Sequence, residues 1–115
     1  MEKYSRVIKI ELLHIPKIST NKMYQSQHWT KRKANKDNIK RLVDLQTNFR
    51  GVKPCKVFYD FEFSKRPLDC SNTSYLAKMV EDVIFPDDSP KIVTQVTLRS
   101  RKSLNDKLTI YIKEL

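Results

Sequence analysis

Residues 55–63 read CKVFYDFEF, and this stretch decides the fold. Apolar and polar side chains alternate along it. Val57, Tyr59, Phe61 and Phe63 fall on one side, with Lys56, Asp60 and Glu62 on the other. A period of two in an aromatic-rich run predicts a strand with one wetter face. Upstream, residues 6–15, RVIKIELLHI, are rich in β-branched residues, and Ile8, Ile10 and Leu12 alternate with Lys9 and Glu11. A strand is expected there too, ended by Pro16, with a polar loop over residues 17–27. Residues 28–49 predict a helix that places Trp29, Ile39, Leu42, Val43 and Phe49 on a broad face. Gly51 and Pro54 follow as stop signals. After a connection at residues 64–71, NTSYLAKMVEDVIF (residues 72–85) sets Tyr75, Leu76, Met79, Val80, Val83 and Ile84 in a helical stripe. Ser71 or Asn72 can cap that helix, and Pro86 ends it. Residues 92–99, IVTQVTLR, and 107–113, KLTIYIK, predict two further strands around a polar turn at SLND. The order β-α-β-α-β-β implies a single small α+β domain over residues 1–115, a mixed sheet with two helices packed on it.

Composition narrows the chemistry. The chain has 115 residues, one domain's worth, and is 39% hydrophobic, enough for a core. A single Gly excludes Gly-rich phosphate loops, and two Cys (Cys55 and Cys70) exclude a disulfide framework or a four-Cys zinc site. The only histidines are His14 and His28. His14 reads as structural and Cys70 as a small packing residue. MEKYSRVIKIELLHIPK has no uninterrupted apolar run of the kind a signal peptide needs, and no stretch approaches the length of a membrane span. With two unpaired Cys, a reducing cytoplasm is the expected compartment. The formal charge of +10 points to a polyanion partner, most often nucleic acid.

That charge is segregated. Residues 31–41 hold Lys31, Arg32, Lys33, Lys36, Lys40 and Arg41 against Asp37 alone, a balance of +5. Arg99, Arg101 and Lys102 form a second basic cluster. Residues 69–88 reverse the sign, with Asp69, Glu81, Asp82, Asp87 and Asp88 against Lys78. Such acids can be ordinary helix-start and turn residues. In a chain that otherwise attracts polyanions, they would repel phosphates unless a cation lies between. Mg²⁺ takes carboxylate oxygens together with waters and phosphate oxygens, and this is the usual equipment of phosphodiester hydrolysis. At about 100° per residue, Tyr75, Lys78 and Asp82 share a polar stripe beside the apolar face of their helix, and Glu81 is expected further toward solvent. Lys78 and Asp82 are an i, i+4 pair. That pair is either a surface salt bridge, or a metal-ligating carboxylate with an ammonium beside it to steady a phosphate. His28, Trp29 and Tyr24 can stack on a base, although a Trp that opens an amphipathic helix more often belongs to a core.

The segment RPLDCSNTSYLAKMVEDVIFPDDSPKIV resembles the core motif of RusA-type Holliday-junction resolvases, endonucleases common in phages. That pattern is Asp-x-Asp-Asn at a helix start, then a Lys, an Asp four residues after it, and a paired Asp-Asp. Here Asp69, Asn72, Lys78, Asp82 and Asp87–Asp88 match it, and STNKMYQSQHWTKRK is similar to the family's Asn-containing loop leading into a basic helix. The likeness runs through most of the chain in the same order. Three departures stand out. Ser71 replaces the second carboxylate of Asp-x-Asp, Lys78 lies three residues further from Asn72 than usual, and the link from Asp82 to Asp87–Asp88 is short. Either Asp82 or Glu81 makes good the missing ligand, or the metal site is impaired.

The resemblance implies a homodimeric, Mg²⁺-dependent endodeoxyribonuclease, with Mn²⁺ as a substitute metal, that cuts four-way or branched DNA in recombination and repair. Asp69, Asp82 and Asp88, with Asp87 or Glu81, would bind the metal, and metal-activated water would attack the phosphate. Lys78 would stabilise the transition state. Residues 31–41 would hold duplex arms through their phosphates, helped by Arg99, Arg101 and Lys102. A non-catalytic nucleic-acid-binding protein of the same fold, its site lost at Ser71, is the alternative.

Overall fold

The computed structural model describes residues 6–20, 29–86 and 90–115, with the backbone alone at Trp29. The chain runs β1 (Val7–Leu13), α1 (Trp29–Gln46), β2 (Cys55–Phe63), a 3-10 turn (Cys70–Thr73), α2 (Ser74–Ile84), β3 (Val93–Lys102) and β4 (Lys107–Glu114). The strands form one sheet in the order β1-β4-β2-β3. β4 is antiparallel to both β1 and β2, and β3 runs parallel to β2. This is the α+β arrangement with a mixed sheet that the order of elements implies. The parallel pair requires a crossover, and α2 supplies it.

The inner face carries Ile10, Leu12, Val57, Tyr59, Phe61, Leu108, Ile110 and Ile112. These join Ile39 and Val43 of α1 and Leu76, Val80 and Ile84 of α2 in one core cluster. Among the described residues no helix is long and apolar enough to cross a membrane.

The helices differ from expectation at their ends. α1 stops at Gln46 rather than at residue 49. The Gln46 side chain donates to the Leu13 carbonyl at 2.7 Å and accepts the Leu13 N–H at 2.6 Å, which ties the helix end to the end of β1. Gly51 is therefore no helix cap, and it does not adopt a positive φ. A Cβ built on it would overlap the buried Phe85 ring, so the close approach of that ring is what requires glycine. The second expected helix opens as a 3-10 turn, and neither Asp69 nor Thr73 caps it through its side chain. Thr20, far away in sequence, does that work. Its hydroxyl accepts the Tyr75 N–H at 2.9 Å and donates to the Asn72 carbonyl at 3.1 Å. β3 extends to Lys102, so Arg99 and Arg101 lie within a strand instead of at its end.

The wetter face of β2 is exposed at Lys56 but buried at its two carboxylates. Asp60 is 2% exposed and Glu62 is 8% exposed. The parallel pairing sets Arg99 beside Asp60 and Arg101 beside Glu62. Arg99 grips the Asp60 carboxylate with Nε at 3.1 Å and a terminal nitrogen at 2.9 Å. Arg101 grips the same carboxylate with two hydrogen bonds of 3.2 Å and reaches Glu62 at 3.3 Å. Burial pushes the Asp60 carboxyl up, but the bonds from Arg99 and Arg101 outweigh it and hold the group below the usual carboxylate range. A native pKa below the unfolded one stabilises the fold above about pH 4, and the effect is lost as pH falls through the native value. Asp60→Asn is thus expected to cost about 1–3 kcal/mol at neutral pH. It should also flatten the loss of stability below about pH 4, as checked by urea denaturation across a pH series.

Candidate nucleic-acid interface

An open groove of about 700 Å³ lies between the two helices. One wall is α1, which contributes Arg32, Lys33 and Lys36, positions i, i+1 and i+4 on one side of the helix. The other wall is α2, which contributes Ser74, Tyr75, Lys78 and Asp82, and Thr20 completes the lining. The polar stripe of Tyr75, Lys78 and Asp82 is therefore a groove wall. Lys78 Nζ lies 3.0 Å from Asp82 Oδ1, with the two side chains 54% and 30% exposed. Four cations thus face the groove around a single carboxylate. Lys36 and Asp82 also line an adjoining cavity of about 330 Å³ with Lys40, Arg50 and Val83.

Glu81 does not point toward solvent. It is buried and accepts a 3.0 Å hydrogen bond from the Tyr59 hydroxyl. Burial, together with the Glu81 carboxylate, pushes the Tyr59 phenol well above its ordinary value. The reason is tertiary: β2 carries Tyr59 beneath the flank of α2 on which Glu81 sits. The pair anchors α2 on the sheet, which leaves Asp82 as the helical carboxylate that faces the groove.

The remaining candidate residues are dispersed. Asp69 is exposed, and its backbone carbonyl accepts the Asn72 N–H at 2.8 Å. Ser71 is exposed and Asn72 half-buried. The Cys70 thiol donates to the Leu98 carbonyl at 3.0 Å. Among the described residues, no three His, Cys, Asp or Glu side chains gather closely enough to hold a metal ion. Asp87 and Asp88 lie outside the described residues, as do Tyr24, His28 and the Trp29 side chain. Lys31 is exposed on α1, Lys40 pairs with Asp44 at 2.9 Å, and Arg41 donates to Asn38 at 3.0 Å. Arg99 and Arg101 stand on the outer face of the sheet, where much of their charge meets Asp60 and Glu62. Lys102 pairs in register with Phe63 and is exposed.

No protein-family model and no curated protein matches this chain.

The site thus rests on its own geometry. A groove with cations at helical spacing suits successive phosphates of a nucleic-acid backbone. A lone carboxylate among those cations adds a hard oxygen donor at the place where phosphate would lie. Thr20 was hidden in a polar loop without a pattern; only the folded chain brings its hydroxyl to the head of α2.

Proposed function

We propose that the protein is a Mg²⁺-dependent, structure-selective endodeoxyribonuclease of RusA type, acting as a homodimer on four-way or otherwise branched DNA. The observation that carries this reading is the groove itself, with Arg32, Lys33, Lys36 and Lys78 arrayed around Asp82. The resemblance of residues 66–93 to the resolvase motif supports it. Arg32, Lys33 and Lys36 hold the phosphate backbone, so affinity follows backbone shape and salt more than base sequence. Lys78, beside Asp82, places an ammonium where charge develops on the phosphate. A symmetric junction needs two matched cuts, which a two-fold dimer delivers.

Among the described residues the carboxylate that lines the groove and suits a hard cation is that of Asp82; Asp69 is not brought to it. Mg²⁺ can be held by a single carboxylate when water and phosphate oxygens complete its shell, so Asp82 would hold it against a bound backbone. When bound, the ion supplies Lewis acidity and an activated water.

A second reading is favoured by Ser71. A hydroxyl stands where the motif has its second carboxylate, and the described acids do not form a cluster of three. On that reading the groove binds DNA without cutting it. Side-by-side incubation of the natural protein and Ser71→Asp with a synthetic four-way junction, over a Mg²⁺ titration and in EDTA, separates the two. The nuclease is expected to cut in Mg²⁺ alone. Ser71→Asp should then keep or lose activity, because another carboxylate in a filled site takes up a proton instead of a metal. An inert natural protein alongside an active variant would overturn the nuclease reading.

A further inference from the structure

The outer face of the sheet, on the side away from the helices, divides into two halves. Toward one end, Glu11, Asp60 and Glu62 are met by Arg99, Arg101 and Lys107. Toward the other end, register places Lys9, Tyr111, Phe58 and Thr97 in one row and Val7, Lys113, Lys56 and Gln95 in the next. Those two rows contain three lysines and no carboxylate. Lys56 and Lys113 are directly opposite each other on neighbouring strands. Like charges so placed destabilise a sheet, and among the described residues neither has a carboxylate partner. Beside them, two half-buried rings meet edge to face, Phe58 and Tyr111, with centroids 5.9 Å apart and planes 64° apart. Lys9 Nζ, which also pairs with Glu11 at 3.3 Å, sits over the Tyr111 ring 6.0 Å from its centroid, and the Arg99 guanidinium sits over the Phe58 ring at 5.8 Å, so a base stacks by displacing these exposed cations from the ring faces.

We propose that Phe58 and Tyr111, flanked by Lys9, Lys56 and Lys113, form a platform for single-stranded DNA. Any base can stack on an aromatic face, and the lysine ammonium groups donate to phosphate oxygens. The rings are steeply inclined to each other, so bases lying on both cannot be parallel. That geometry favours an unstacked strand, whose base faces are free, over a duplex, whose bases are already stacked. The choice of DNA rests on the reading proposed above; the platform rests on the rings and lysines alone. A branched substrate would then engage the protein twice, with duplex arms in the groove and an unpaired strand on the sheet.

The test is fluorescence anisotropy in EDTA with a labelled oligothymidylate of about a dozen nucleotides, using the whole protein. Phe58→Ala combined with Tyr111→Ala is expected to weaken binding at least tenfold, and Tyr111→Phe to keep it within about twofold. Lys56→Glu combined with Lys113→Glu, two exposed changes that leave the core alone, should also cost at least about tenfold. Charge reversal at Arg32, Lys33 and Lys36 should weaken duplex binding far more than oligothymidylate binding. Folded platform variants that bind like the natural protein would overturn the proposal. So would tighter binding of oligouridylate than of oligothymidylate, or a dimer in sedimentation that the platform variants dissolve, which would make a second copy the occupant. A protein that never cuts a junction, but whose oligothymidylate binding follows the platform, would sink the nuclease reading and leave this one standing.

Discussion

Asp82→Asn is expected to lower Mg²⁺-dependent cleavage of a four-way junction by at least about a hundredfold while leaving junction binding intact. Loss of a group that merely orients a metal ligand typically costs 10–100-fold, so loss of the ligand itself should cost more. The amide keeps the shape of the carboxylate and removes one negative charge from a groove lined by Arg32, Lys33, Lys36 and Lys78. Affinity measured in EDTA should therefore hold or rise slightly. The fold should tolerate the change. The Lys78–Asp82 pair is partly exposed, and such helix pairs contribute only a few tenths of a kcal/mol. Glu81→Gln is the control. Its side chain is buried and can still accept the Tyr59 hydroxyl, so cleavage should persist. Cleavage lost in Glu81→Gln and retained in Asp82→Asn would identify the inward carboxylate as the working one. Both rates are read from junction cleavage over a Mg²⁺ titration.

Reversing the charge of Arg32, Lys33 and Lys36 together is expected to weaken duplex and junction binding alike, on the order of a hundredfold at physiological salt. If each residue neutralises one phosphate, the slope of log K against log salt should shrink by about 0.9 for every phosphate no longer held. The comparison is Lys31, Lys40 and Arg41 on the same helix, reversed together. They lie outside the groove, and Lys40 and Arg41 are already engaged by Asp44 and Asn38, so their loss should cost less. The helix should survive either change, because it is held to the core by Ile39 and Val43. Equal losses in the two triple variants would show that α1 attracts DNA by bulk charge, with no preferred groove.

Alternation along residues 55–63 was enough to place β2 between Cys55 and Phe63, its observed bounds. The stripe on residues 72–85 likewise placed the buried face of α2, because a helix facing one sheet writes its period into the chain. The polar wall of Tyr75, Lys78 and Asp82 was legible for the same reason, as were the cations of α1. What a period cannot express is which element comes to lie beside which. Arg99 reaches Asp60 across 39 positions, and Thr20 caps α2 across 55. Both partners read locally as ordinary polar residues. Glu81 looked solvent-facing by its angle alone, until β2 set Tyr59 beneath it.

The element types, the mixed α+β class and the segregation of charge were determined by the sequence itself, because they depend on local periodicity and composition. Tertiary structure alone decided the strand order β1-β4-β2-β3, the burial of Asp60 and Glu62, and the meeting of α1 cations with Asp82 across a groove. These are pairings between distant segments. They are selected by how apolar faces and buried charges are jointly satisfied once the chain closes on one core, and no local stretch of sequence carries that information.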